Sequence, residues 1–172
     1  TVTLAFDFNS GEAAEAKGFG LDSDIVRQFV RECDVLFISH RHRDHAEKAV
    51  ARMFLGQSKP VIAPPQVWKG EPIHDSIAHF TRVAHEKQRL VLASGKPDLE
   101  VVIYPGHQMR RHENNVPLVF TPEGITIAHM GDQINEGNFM VDYAWIDEVK
   151  EHHDVDILFP PCWTNEIHRI VQ

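Results

Sequence analysis

The chain has 172 residues, and 42% of them are hydrophobic, which is enough for a folded core and argues against wholesale disorder. With 17 basic and 25 acidic residues, its net charge is −8 when histidine is neutral. An acidic chain lacks the basic surface that nucleic-acid-binding proteins need. The two cysteines are too few for a disulfide framework or a Cys-rich zinc module.

These features predict one domain over 1–172 and argue against binding to nucleic acid or membrane. No apolar run reaches the roughly 18–20 residues that a membrane span needs. Because no signal peptide is recognisable, we expect a cytoplasmic location. Twelve histidines are an unusually large number for this length, and only their spacing can separate ligands from surface residues.

Strands and helices alternate along the chain, which is typical of a layered α/β domain. Asp22 or Ser23 can cap a helix that starts at about 22, because either side chain can accept a hydrogen bond from the first turn. Pro122-Glu123-Gly124 is a turn signal between two apolar runs and predicts a hairpin. The predicted strands are 2–8, 34–39, 61–63, 89–93, 99–104, 117–121, 125–130 and 155–159. One helix is predicted to start at about 22, and three more are predicted at 45–55, 142–151 and 164–171. Helical turns are predicted within 66–88.

The sequence HRHRDH at positions 40–45 directly follows a predicted buried strand. Residues i and i+2 of an extended segment point the same way, so His40 and His42 can converge on one metal ion. The chain then turns into a helix, which can bring Asp44 and His45 towards a second ion. Imidazole and carboxylate are the usual ligands of catalytic zinc and also suit iron or manganese. A polar loop with solvated histidines is the alternative, but it explains poorly why three histidines and an aspartate fall within six residues.

The stretch ISHRHRDH at 38–45 resembles the HxHxDH signature of the metallo-β-lactamase superfamily. The resemblance implies an α/β fold of the metallo-β-lactamase-like αββα sandwich type, with two divalent metals at one edge of the two sheets. It implies further ligands later in the chain: His107, after a strand and in the segment Pro-Gly-His, and Asp132, in a Gly-Asp pair. His107 would join the first metal, and Asp132 would bridge both. The surroundings of His107, Asn115 and Asp132 are most similar to the branch with the ascorbate-6-phosphate lactonase.

The family also has a further hairpin at its start and a further histidine ligand at its end. We therefore expect this chain to be clipped at both ends. His168 is a candidate substitute for that last ligand, although its place in a predicted helix favours a surface or packing role. His129 has no ligand position in the family pattern and is expected either to be structural or to support a ligand without binding metal itself.

The expected activity is that of a binuclear metal-dependent hydrolase with two divalent metals, zinc in preference to manganese or iron. A metal-bridged hydroxide would attack an ester, lactone, amide or phosphodiester, with Asp44 and Asp132 as catalytic residues. Arg110 and Arg111 are candidates for binding an anionic substrate group, and Trp163 for lining the pocket. A non-catalytic metal-binding scaffold or sensor of the same fold is the alternative.

Overall fold

A computed structural model describes residues 1–11, 20–93, 95–108, 112–133 and 149–161. Its strands form two sheets of three and five members. In chain order the elements are β1 (Leu4–Phe6), α1 (Ser23–Glu32), β2 (Val35–Phe37), α2 (Lys48–Gly56), β3 (Val61–Ile62), a 3-10 helix (Pro72–Ser76), β4 (Gln88–Leu90), β5 (Leu99–Gln108), β6 (His112–Phe120), β7 (Thr126–His129) and β8 (Ile157–Phe159).

The first sheet has the order β1-β2-β3, and its three strands are parallel. Helices link them, as parallel strands require crossover connections. Helix α1 begins at the predicted cap, where the Asp22 side chain accepts a hydrogen bond from the Asp24 amide at 2.7 Å. Its buried residues Val26 and Val30 pack with Phe54 of α2 against the outer face of this sheet.

The second sheet has the order β4-β5-β6-β7-β8 and is antiparallel except for the β7–β8 pair. The predicted turn at 122–124 joins β6 to β7: the Gly124 amide donates to the Thr121 carbonyl at 3.0 Å. Gly124 has φ +82, a left-handed conformation that glycine adopts without steric cost.

The apolar residues divide into three clusters, and these define the layers. The first lies between the two helices and the first sheet. The second lies between the sheets, where Val35 and Phe37 of β2 meet Val101 and Ile103 of β5. The third covers the outer face of the second sheet and includes Val149, in a helical segment at 149–152. This layering confirms the predicted αββα sandwich.

Most predicted boundaries differ from the structure by one to five residues, and two of the differences bear on the site. Helix α2 begins at Lys48 rather than 45, because the Ala46 amide donates to the His42 carbonyl and closes a separate turn. Strand β5 continues to Gln108, so the predicted loop at 105–107 is part of a strand. A proline at 105 is tolerated because β4 pairs only with residues 99–101 and leaves β5 an edge strand there.

The predicted helix 164–171 and nearly all of the predicted helix 142–151 lie outside the described residues. Within the described ranges, no helix combines the length and the apolar character that a membrane crossing requires.

Candidate metal centre

Three chain segments that follow strands meet at one edge of the sandwich. β1 and β2 are parallel neighbours, so Asp7 after β1 and Ser39 after β2 lie side by side. The Ser39 amide donates to Asp7 Oδ1 at 2.6 Å. The segment after β7 reaches the same edge from the other sheet and carries Asp132. The site is therefore assembled from both sheets.

His40, His42 and Asp132 form the candidate metal centre. One potential ligand atom from each lies within 4.8 Å of the others. His40 Nε2 is 3.8 Å from Asp132 Oδ2, and the two imidazole centroids are 4.6 Å apart. Two imidazoles and one carboxylate form a donor set that suits zinc or iron. His40 and His42 thus come together as their spacing predicted, although the chain bends at 40–42 and is not extended there.

His40 fits the role of a ligand by its surroundings. Its side chain is fully buried, and its Nδ1 lies 3.0 Å from the Ser39 hydroxyl. Its Nε2 has no hydrogen-bond partner among the residues that the structure describes, a costly arrangement for a buried polar atom unless something else binds it. Burial, aided by the charge of His45, lowers the pKa of His40 to about 4. The imidazole is consequently neutral near pH 7, the form that binds metals.

His45 lies between two carboxylates. Its Nδ1 is 2.8 Å from Asp7 Oδ2, and its Nε2 is 3.3 Å from Asp132 Oδ2. Burial lowers the pKa of His45, but hydrogen bonds to Asp132 and Asp7 outweigh burial and raise it to about 10. This imidazole is therefore protonated near pH 7 and would have to release a proton to bind a metal through Nε2, while the Asp7 carboxylate on Nδ1 would fix the ring.

Asp7 is a functional residue that the sequence analysis missed. It is buried and has φ +47, a conformation that aspartate tolerates better than most residues. The Ser39 hydroxyl donates to its Oδ2 at 2.6 Å. Burial raises the pKa of Asp7, but the net shift is downwards because His45, His129 and Ser39 favour the carboxylate. The available signal was an acidic residue directly after the first strand.

Asp132 is fixed by the β5–β6 hairpin. Gln108 Nε2 donates to Asp132 Oδ2 at 2.9 Å, and the backbone amide of Asp132 donates to Asn114 Oδ1 at 3.3 Å. The Asn114 side chain also donates to the Met130 carbonyl at 2.9 Å. Gly131 has φ +55, and a Cβ there would overlap Ser39. The Gly-Asp pair therefore allows the two sheets to approach closely.

The other predicted ligands take different positions. The Asp44 side chain is 68% exposed, and its Oδ2 lies 3.7 Å from His45 Nε2. His107 is not among the three clustered ligands. It lies within β5 opposite Glu113, and its neighbour Gln108 contacts Asp132. Adjacent strand residues project to opposite faces, so His107 and Gln108 are expected to face different sides of β5. A ligand role for His107 therefore stays a prediction.

Arg110, Arg111 and Trp163, the predicted substrate-binding residues, lie outside the described residues, as does His168. His129 has the structural role expected of it. Its ring stacks on Phe6 at 5.0 Å, and its Nδ1 accepts a hydrogen bond from the Gly131 amide.

Comparison with known proteins gives limited information. No family model matches the sequence, and no curated protein matches it significantly. Among solved structures, 14 chains match significantly. One is a mutant of the CmlA beta-hydroxylase, with 16% identity and a TM-score of 0.46; the match covers 73% of this chain and 25% of that one. At this similarity, function has to be inferred from the side chains of the site.

Proposed function

We propose that the chain is a metal-dependent hydrolase of metallo-β-lactamase type. The observation that carries the proposal is the meeting of His40, His42 and Asp132, with an unsatisfied buried nitrogen on His40. As the resemblance implies, His40, His42 and His107 would hold the first ion, Asp44 and His45 would hold a second, and Asp132 would lie between the two. Zinc is the preferred metal, with manganese or iron as alternatives.

When bound, such an ion lowers the pKa of water to about 7 and polarises the bond under attack. The protein's own contribution is to fix the donors. Ser39 and Asp7 orient His40 and His45 from behind, while Gln108 and Asn114 hold Asp132. Orientation of this kind lowers the cost of reorganisation during the reaction.

Asp44 is suited to proton transfer. Its carboxylate is solvent-exposed and lies beside His45 at the rim of the site. A base within reach of both the site and bulk water can accept a proton from the nucleophile and pass it to solvent. The substrate is proposed to be a small molecule with an ester, lactone, amide or phosphodiester bond. A lactone would match the lactonase-like branch that the sequence resembles.

The test combines metal content and turnover. Metal-loaded protein should contain about two ions per chain by elemental mass spectrometry and should hydrolyse a compound in a screen of lactones, esters and phosphodiesters. His42→Ala and Asp132→Ala should lower both metal content and turnover. His152→Ala is the control, since His152 is exposed and lies outside this cluster. Near-normal turnover in Asp132→Ala would contradict the proposal.

A metal-binding scaffold or sensor is the second candidate. It is favoured by a cluster of three ligands rather than six within the described ranges. This candidate predicts metal uptake that depends on Asp132 without turnover of any screened compound. Hydrolysis that disappears with the metal would exclude it.

A further inference from the structure

One pocket of the structure includes Arg41, a residue of the segment that carries His40 and His42. Its volume is about 330 Å³, and it is lined by Arg41, Gln66, Trp68, Lys69 and Glu71. This volume falls within the range of small-molecule sites, about 300–1,000 Å³. Arg41 stands between His40 and His42 in sequence, so one wall of the pocket belongs to the metal-binding segment itself. The other four residues come from the segment that follows β3.

The pocket has an excess of positive charge. Glu71 is paired with Lys48, so its negative charge is already compensated. Arg41 and Lys69 are exposed, and neither makes an ion pair or hydrogen bond with any part of the chain that the structure describes. Two uncompensated cations at one pocket are notable in a chain with a net charge of −8. They create a local field that attracts anions.

The segment that carries Lys69 is held in place. Gln66 Oε1 accepts a hydrogen bond from the Glu113 amide at 3.3 Å, which ties this segment to β6. His74 Nε2 lies 3.1 Å from the Pro65 carbonyl, and His79 Nδ1 lies 2.9 Å from the Ala63 carbonyl. The pocket wall is therefore fixed to the same sheet that positions Asp132.

Trp68 has an unusual backbone conformation. Its φ is +50, in the left-handed region that bulky side chains rarely adopt. Such residues persist where the surrounding structure holds them, and they cluster at binding sites. The turn that holds Trp68 is closed by a hydrogen bond from the Glu71 amide to its carbonyl at 2.9 Å. Trp68 is thus an aromatic residue of the pocket lining and directly precedes Lys69 in the sequence.

We propose that Arg41 and Lys69 form an oxoanion subsite with Trp68 as its aromatic wall, and that it binds a carboxylate or phosphate group of the substrate. The guanidinium of Arg41 matches two oxygens of such a group, and Lys69 supplies a second positive charge. This assignment rests on the proposed function, because the subsite would position the substrate's scissile bond at the neighbouring metal centre. It makes Arg41 and Lys69 specificity determinants rather than metal ligands.

The test uses inorganic phosphate and benzoate as probes, with neutral benzamide for comparison. They are titrated into the metal-free full-length chain while amide and indole NMR resonances are recorded, so that the metal itself cannot bind the anion. One anion should bind and shift the Trp68 indole resonance, while benzamide should not. Which anion binds distinguishes a phosphate subsite from a carboxylate subsite. Failure of both anions to bind would overturn the inference.

Variants locate the binding. Arg41→Gln and Lys69→Gln should each weaken anion affinity about tenfold, as expected for loss of one charge-assisted interaction. Arg41→Lys should restore part of the loss. Arg52→Gln is the matched control, an exposed arginine of α2. Unchanged affinity in both Gln variants would overturn the assignment.

The two proposals fail separately. If the wild type takes up no metal and hydrolyses nothing, yet binds the anion through Arg41 and Lys69, the hydrolase proposal fails while the subsite stands. If metal uptake and turnover are normal but neither KM nor anion affinity changes in Arg41→Gln and Lys69→Gln, only the subsite proposal fails. Asp132→Ala should lose metal without losing anion affinity, which separates the two effects in one variant.

Discussion

Asp7 contacts the side chains of Ser39 and His45 at the candidate metal centre. It accepts hydrogen bonds from the Ser39 amide and hydroxyl, both at 2.6 Å, and lies 2.8 Å from His45 Nδ1. Replacing Asp7 with Asn keeps the shape but removes the charge and one acceptor. Loss of such a partner typically lowers metal affinity about 10- to 100-fold. We expect a loss of this size for Asp7→Asn, measured by zinc competition against a chelator.

The control for this prediction is Asp75→Asn. The Asp75 side chain is 92% exposed and lies on the 3-10 helix, outside the cluster. It should leave zinc affinity unchanged. If Asp7→Asn binds zinc as tightly as the wild type, zinc binding does not depend on the contact between Asp7 and His45.

Gly131 tests how closely the sheets must approach beside Asp132. A Cβ at Gly131 would overlap Ser39 Cβ and come within 2.6 Å of Ser39 Oγ and 2.7 Å of Asn114 Oδ1. Gly70 has a similar positive φ of +85 but nothing within 4 Å of a built Cβ. Gly131→Ala should lower the free energy of unfolding by about 3 kcal/mol, because overpacking adds to the left-handed strain. Gly70→Ala should lose only about 1 kcal/mol.

Urea unfolding of the two glycine variants measures this difference directly. Both share the conformational cost, so the excess loss in Gly131→Ala reports the contact with Ser39 and Asn114. Equal losses would mean that this edge of the sandwich relaxes easily and does not hold Asp132 in a fixed position.

At the scale of elements, the β5–β6 hairpin supports the site through Arg82. Its guanidinium donates to the Gly106 carbonyl at 2.7 Å, the Asn114 carbonyl at 3.3 Å and the Asn115 side chain at 2.9 Å. Arg82→Gln removes these donors from a half-buried position. We expect a loss of about 2 kcal/mol in unfolding free energy, since hydrogen bonds to a charged group exceed neutral ones.

Amide hydrogen exchange shows which part of the fold is destabilised in Arg82→Gln. The amides of residues 106–108 should exchange faster in Arg82→Gln, while those of the first sheet should keep their protection. Arg89→Gln is the control: it also removes an arginine that is bonded to a neighbour, but the pair with Asp98 is exposed. Uniformly faster exchange would show that Arg82 stabilises the whole domain and not the hairpin end.

The same elements show why sequence patterns located most strands but not their ends. The Asp22 cap and the Gly124 turn act within a few residues, so local patterns predict them. The end of β5 depends on pairing with β6, which covers residues 100–108 and is invisible to local periodicity. Pro105-Gly106 looks like a loop in sequence, and only the register Pro105↔Asn115 makes it part of a strand.

For the site, spacing predicted the contacts that the chain makes locally. His40 and His42 are two residues apart and their rings do meet, but through bends at 40–42 rather than the extended segment that was expected. Asp7 reaches His45 across 38 residues, and that contact depends on the parallel β1–β2 pairing. No local signal encodes it. Long-range contacts of this kind are the part of a site that a single sequence leaves open.

At the scale of the whole molecule, the candidate metal centre links the two sheets. His40 and His42 follow β2 of the first sheet, whereas Asp132 follows β7 of the second. An ion bound by all three would therefore tie the sheets together and would bind the folded chain better than the unfolded one. A ligand at 100 times its Kd stabilises the folded state by about 2.7 kcal/mol.

For a chain of this length, such stabilisation corresponds to a rise in Tm of about 5–10 °C. We expect zinc to raise the Tm by this amount and a chelator to reverse the rise, measured by scanning calorimetry at fixed protein concentration. Asp132→Ala should abolish the shift, because it removes the only ligand from the second sheet among the three clustered residues. His152→Ala should keep it. An equal shift in Asp132→Ala would mean that zinc stabilises the protein from another site, and the link between the sheets would then be packing alone.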